Sequence, residues 1–537
     1  MGKRVLVLVS LFVIGGSVTP ALGRMASLPG KTGGVLNLAI GEDPVAGLSL
    51  LEATSIGMVW PTAPCFSNLV MFDPMDPLER VESLVGDLAE RWSWQDNYRN
   101  LVFFLRKNVK WHDGRPFTSR DVKFTFDVVR EAPDAPTKLR ISPRKIWFAN
   151  IESIETPSPD SVIFRLKRPQ PSLLLMLASG YSPIYPAHVP PTEQRAHCVG
   201  TGPFKLKEWR RGEFIEYVRN PDYFVPQRPY LDGLKYIVIK DRGTRAAAIQ
   251  SGRVDAGIPG DGRKSIVEPM KAAVPGLRVS VVGQNVFANL VFNVKRPPLD
   301  DVNVRRALNL AIDRKAVVTM LDQGAGVVGA AMAPRPWGVW GLTEKEIASL
   351  PGYGPKDAER AKARALLAAA GYGSGNPLRL EILASGGSVD YVNFGSIVVG
   401  ELKKVGVQAI VRQVENAMWF QMLTRRDFQA ASNLTGLGLD DPDANFFENY
   451  SCTSPRNYSD YCDAELTRLI EAQSAEVDQK KRLGLVAEIQ KLLARDASRP
   501  TASWRLDHFV QWPHVKNLVP HNVEHNWARM QDVWLDR

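Results

Sequence analysis

The residues best suited by type to make and break bonds sit near the end of the chain, where His521-Asn522-Val523-Glu524-His525 spells H-x-x-E-H. On a helix that spacing sets two imidazoles on one face to grip zinc, with the glutamate as base. Pro520, two nearby asparagines and the β-branched Val523 work against a helix there. The sequence favours a pair of satisfied histidines, and a zinc metallopeptidase through His521, Glu524 and His525 is the least favoured alternative. His112, His188, His197, His508 and His514 do not cluster with them, and no G-x-S-x-G offers a serine nucleophile. No enzyme activity, metal or cofactor is expected.

Binding chemistry is better represented. Ala430 to Cys452 combines glycines, which let backbone approach a ligand closely, with Asp440, Asp441 and Asp443. The alternative is that these aspartates cap turns or helices. Four cysteines, Cys65, Cys198, Cys452 and Cys462, contain no C-x-x-C and suit two disulfides in an exported chain. Of three pairings, the short loop Cys452–Cys462 is favoured, and hence Cys65–Cys198. Closing a loop as long as the second stabilises by ~4 kcal/mol in the entropy model.

The elements that must position these groups alternate strand and helix. Strand formers run from Val286 to Val294 and turn on Pro297-Pro298. Asp300 and Asp301 then offer an N-cap to a helix whose apolar face is Val304, Ala307, Leu308, Ala311 and Ile312. Further strands are expected at Val35 to Ile40, Val102 to Leu105, Val162 to Leu166, Phe214 to Val218, Leu234 to Ile239, Leu378 to Leu383 and Val407 to Val411. Helices are expected after Thr118, at Thr244 to Ser251, Asp357 to Ala370, Asn393 to Val405, Ala464 to Ile470 and Lys480 to Leu493. Gly200-Thr201-Gly202 is a turn and not a phosphate loop, because a strand follows it. Trp504 to Pro520 is extended. Such alternation implies α/β architecture.

Four segments resemble signatures of the extracytoplasmic solute-binding proteins for peptides, nickel and opines, family 5. They are Phe292-Asn293 with Pro298, Asp301, Val304-Arg305, Ala307 and Ala311-Ile312-Asp313; Trp111 to Asp127; Gly200 to Phe204; and Arg219-Asn220-Pro221-Asp222-Tyr223. The likeness extends from Gly34 to Trp534. It implies a two-lobed periplasmic-binding-protein fold (type II, dipeptide-binding-like) with an extra N-terminal subdomain. Lobe I is expected at 33–64, 196–288 and 512–537, its accessory subdomain at 65–195 and lobe II at 289–511.

The same resemblance implies a periplasmic receptor that hands a peptide, peptide-like or opine solute to an inner-membrane ABC permease and its ATPase. A metal- or haem-binding receptor of the same fold is the alternative. The ligand set it implies is Thr54 and Ser55 from the first lobe, with Trp419, Asn433, Thr435, Gly436, Gly438 and Asp440 from the second. Two departures stand out. Relatives hold a peptide's amino group with an aspartate where this chain has Gly438, and dipeptide-binding relatives grip the carboxylate with an arginine where it has Ser385.

Composition sets the frame. At 537 residues the chain suits three or four units of roughly 150 residues each. With 45% hydrophobic and 23% charged residues, wholesale disorder is excluded. Lys3-Arg4, the apolar run Val5 to Val18 and Ala21-Leu22-Gly23 read as a signal peptide over residues 1–23. That run is shorter than the ~20 apolar residues of a spanning helix, so the mature chain is expected to be soluble and periplasmic; it is also expected to be a monomer. The formal charge of +10 is scattered and no basic run is interleaved with aromatics, so nucleic acid is not an expected partner.

Overall fold

The computed structural model describes residues 30–44, 47–53, 56–523, 526 and 528–537; the expected signal segment, with Thr54, Ser55, Glu524 and His525, lies outside them. Three sheets of four or more strands organise the described residues. The first orders Val35–Ile40, Gly233–Val238, Phe214–Arg219 and Phe204–Arg210. The second orders Gly326–Val327, Thr501–Gln511, Arg278–Phe292, Ala430–Gly436, Arg379–Ser385 and Gln408–Val414. The third, inserted between strands of the first, is an antiparallel sheet in the order Ala89–Gln95, Asn100–Leu105, Ser161–Leu166 and Ile151–Ser158. This is the two-lobed α/β fold with an added N-terminal subdomain.

Local chemistry explains the elements. Asp301 accepts from the Asn303 amide at 2.7 Å and starts the helix Val302–Ala311. Val304, Ala307, Leu308 and Ala311 on that helix are buried against Leu290, Phe292, Leu380 and Phe394 of the second lobe's core. Thr118 and Asp121 form the capping box of Ser119–Val129, and the Thr118 amide donates to Asp121 at 2.8 Å. The first-lobe core is richer in aromatics, with Trp60, Phe103, Phe164, Tyr217 and Tyr236.

Two long strands cross between the lobes. Arg278 to Gly283 pair with Leu506 to Gln511, and Phe287 to Asn289 pair with Thr501 to Trp504. Between these registers the ladder slips at Gly283/Phe287, and Asn285 adopts φ +54°. A slip with one left-handed residue is a place where a ladder bends without losing its flanking pairs. Ala256 bridges both Leu38 and Gln511, which ties the crossing pair to the first sheet.

The crossing strand begins at Arg278, eight residues before the apolar run that marks it in the sequence. Its first half is exposed and mixed, so its extended form comes from pairing with Thr501–Gln511 and not from side-chain periodicity.

Candidate functional site

The lobes meet along a polar seam. From the first lobe's accessory part, Ser172 Oγ donates to Asp443 Oδ2 at 2.5 Å, and Gln170 lies 3.3 Å from the same oxygen. Ser179 Oγ donates to the Gly438 carbonyl at 2.9 Å, and Arg168 reaches Ser474 at 3.0 Å. Arg144 and Glu448 face each other at 3.2 Å, both about 95% buried. On the hinge side, Arg263 pairs with Asp390, which Arg505 also holds at 3.1 Å.

The acid-rich stretch divides into three roles. Asp441 caps the helix Pro442–Tyr450 and takes a bidentate ion pair from Arg482 at 2.7 and 2.8 Å. Asp443 is wholly buried and gathers Ser172, Gln170, Gln473 and Ser474. Asp440 accepts from the Val339 amide at 3.0 Å and from Asn522 Nδ2 at 3.3 Å, while its Oδ1 has no hydrogen-bond partner.

Burial pushes the Asp440 carboxyl up to about 7, and it pushes Glu79, which faces Asp440 and is held by Asn526, well above the usual carboxylate range. Burial also lifts Asp507 to about 6. A carboxyl raised by folding stays protonated in the native state while the unfolded chain ionises. Stability is therefore lost as pH rises from the ordinary 3.8 towards about 7. Asp440→Asn should flatten part of that loss; urea midpoints at about pH 4.5 and about pH 7.5 check it, and a decline as steep as in the parent chain contradicts it.

The other residues expected to line the site are placed as follows. Trp419 is 1% exposed, packed among Val291, Leu383, Leu423, Phe428 and Ala431 and edge-on to Tyr391 at 5.2 Å. Its Nε1 makes no hydrogen bond. Asn433 and Thr435 are buried on the strand Ala430–Gly436, where Thr435 Oγ1 lies 2.7 Å from Arg499, 2.9 Å from Asn289 and 3.1 Å from Asn433. Gly436 pairs with Val286 beside the hinge.

Gly438 packs against the first lobe, where a Cβ would stand 2.7 Å from the Tyr181 ring and 3.2 Å from Trp147. Ser385 is buried and donates to Asn416 at 2.8 Å. Gly438 and Asp440 are therefore together at the seam, while Trp419 lies in the second lobe's interior. A groove of about 690 Å³ between Lys315, Arg335, Trp337, Glu344 and Lys356 is lined only by residues of 313–356, so it belongs to one lobe.

Sequence reading did not single out Arg144, Arg456, Glu448, Tyr181, Arg263, Asp390 or Arg505. They come from separate loops, helices and the strand Thr501–Gln511, and no spacing pattern links them. The sulfurs join Cys65 to Cys198 and Cys452 to Cys462, and the second bridge closes the loop that carries Arg456.

At the tail, His521 is buried with Nε2 3.3 Å from the Pro74 carbonyl, and burial pulls its imidazole down to about 4. Residues 522 and 523 are bends, and Glu524 and His525 of the H-x-x-E-H motif lie outside the described residues. Among the described residues, no three His, Cys, Asp or Glu side chains converge as a metal site, and no helix is long and apolar enough to cross a membrane.

Comparison with known proteins matches this arrangement to one group. The probable di/tripeptide-binding protein 5 of Pseudomonas aeruginosa is 27% identical over 458 residues, spanning 78% of this chain and 82% of that protein. The binding protein DppA of Helicobacter pylori, solved with the peptide STSA, superposes with a TM-score of 0.80 at 21% identity over 94% of this chain and 99% of its own. AgaA of A. tumefaciens, solved with agropinic acid, superposes with a TM-score of 0.78 at 22% identity over the same shares of both chains. The model of the bacterial extracellular solute-binding proteins, family 5, matches residues 83–457. With that span and this fold, the chain belongs to the bacterial extracellular solute-binding proteins, family 5.

Proposed function

We propose that this chain is the periplasmic receptor of an ABC importer, which captures a peptide, peptide-like or opine solute between its lobes and passes it unaltered to a permease and its ATPase. One observation carries the reading: two lobes, joined by a crossing strand pair that slips at Asn285, meet through polar side chains from both sides. A solute that touches both lobes favours the closed form by its differential affinity for it. The first lobe is taken as 33–64, 196–288 and 512–537, the accessory part as 65–195 and the second lobe as 289–511. The protein works as a monomer, exported by residues 1–23. Thr54, Ser55, Trp419, Asn433, Thr435, Gly436, Gly438 and Asp440 are the proposed contacts or supports of the solute.

The direct test is mass spectrometry of small molecules released by denaturing protein purified from its native periplasm. A peptide or amino-acid conjugate near one per chain supports the reading, and stoichiometric zinc or haem in place of such a solute contradicts it.

Gly438→Ala probes closure. The added methyl meets the Tyr181 ring only where the lobes touch. Overpacking of this kind costs ~1–3 kcal/mol, so solute affinity should fall by about tenfold or more with little change in solute-free melting. Calorimetric titration with the released solute checks it, and unchanged affinity contradicts the seam as the site of closure.

A further inference from the structure

Around Glu448 the seam gathers more cation than carboxylate: Arg144 and Arg499 are buried and the Arg456 side chain is 25% exposed. Arg144 stands on the first-lobe side, and Glu448 and Arg456 on the second. Glu448 lies between the two guanidiniums, with Oε1 3.2 Å from Arg144 Nη1 and Oε2 3.3 Å from Arg456 Nε. Neither approach has hydrogen-bond geometry: Arg144 Nε and Nη1 and Arg456 Nε make no hydrogen bond. Arg144 is 4% exposed, and its guanidinium carbon stands 4.0 Å from the centre of the Tyr181 ring and 5.1 Å from that of Trp147. Trp147 Nε1 also has no hydrogen-bond partner.

A third guanidinium adds to the excess. Arg499 is 5% exposed and donates to Asn289 and Asn449 at 2.8 Å and to Thr435 at 2.7 Å, all neutral groups. The fields of Arg456 and Glu448 both reach it. Around Glu448 there are thus three arginines and one carboxylate. The hinge-side cluster is different, because Arg263 and Arg505 face Asp390 and Asp322, two against two.

Buried charge is costly unless it is paired and hydrogen-bonded. The unmet groups around Glu448 are all donors, so what completes them brings acceptor oxygens and negative charge. The seam's unpartnered acceptors, Asp440 Oδ1 and Glu79 Oε2, sit on carboxyls that burial pushes towards the neutral form, so they attract a cationic end less than free carboxylates would. Resting on the solute-receptor reading, we propose that the solute is anionic and that its carboxylate is gripped from both lobes at once, by Arg144 and Arg456. The closing contact and the selectivity for acidic solutes are then the same interaction.

The experiment compares small molecules retained by the native-purified full chain with those retained by Arg456→Gln and Glu448→Gln variants. Wild type is expected to release a solute of net negative charge. Arg456→Gln should retain about tenfold less or lower still, as expected for a lost charge-assisted bond. Glu448→Gln should retain as much or more, whereas a merely structural Glu448 would cost retention when removed.

If Arg456→Gln fails to fold, the Glu448→Gln result and the charge of the wild-type solute decide. A neutral or cationic solute, or undiminished retention in Arg456→Gln, overturns this inference and leaves the receptor reading standing. A wild-type chain that retains nothing and binds no acidic, neutral or basic tripeptide in a calorimetric panel overturns both. Inorganic phosphate serves as the control; displacement of the solute by phosphate alone assigns the site to any oxyanion and overturns the carboxylate.

Discussion

Arg482→Ala should lower the stability of the second lobe by ~3–5 kcal/mol, the usual cost of removing one partner from a buried ion pair. The Arg482 side chain is 6% exposed and both Asp441 and Asp443 are wholly buried. Its fork meets both oxygens of Asp441, Nη2 lies 3.5 Å from Asp443, and Nε donates to the Gln473 carbonyl at 3.1 Å. Without it, two carboxylates stay in a dry site with only neutral donors.

Arg482→Lys keeps the charge but loses the planar fork, so it should fall between parent and alanine. The loss should also weaken the proposed closure, because Asp443 is the residue that Ser172 and Gln170 touch across the seam. Urea unfolding of the solute-free protein measures the effect, and a loss below about 1 kcal/mol would show that the pair contributes no more than a surface one.

Trp419→Ala should be comparably severe. From the sequence alone, this change is expected to weaken solute binding far more than it lowers thermal stability. Burial at 1% exposure among Leu383, Leu423 and Phe428 makes the alanine change a large cavity, which costs ~3–5 kcal/mol. Both properties should therefore fall together. Trp419→Phe separates them, since it retains most of the volume and removes the Nε1 that lacks a partner. If Trp419 touches solute, Phe should keep the melting temperature within a few degrees and still weaken binding; equal, small changes in both would place Trp419 in the core alone.

Most of the frame was legible because helix and strand signals here are local. The Asp301 cap, the apolar face of Val302–Ala311 and the Thr118/Asp121 box each specify their element with a few adjacent residues. The first half of Arg278–Phe292 was not legible, because what makes it a strand is a partner more than two hundred residues away.

The site follows the same rule. Asp440, Asp441 and Asp443 stand out as a cluster, yet capping, ion pairing and a carboxyl pushed towards its neutral form are assigned to them by Arg482, Val339 and burial. Gly438 reads as a missing anchor in the sequence, and in the structure it is the space that Tyr181 fills. Arg144, Glu448 and Arg456 carry no pattern at all, since a helix and two loops from the two lobes bring them together.

Small-angle scattering on the solute-loaded and solute-stripped full chain tests the central claim most directly. Closure about the strand slip at Asn285 predicts a larger radius of gyration for the stripped protein, and its return to the loaded value when the released solute is added back. Identical profiles for the two forms, with solute binding confirmed in the same samples, would contradict a receptor that shuts on what it carries.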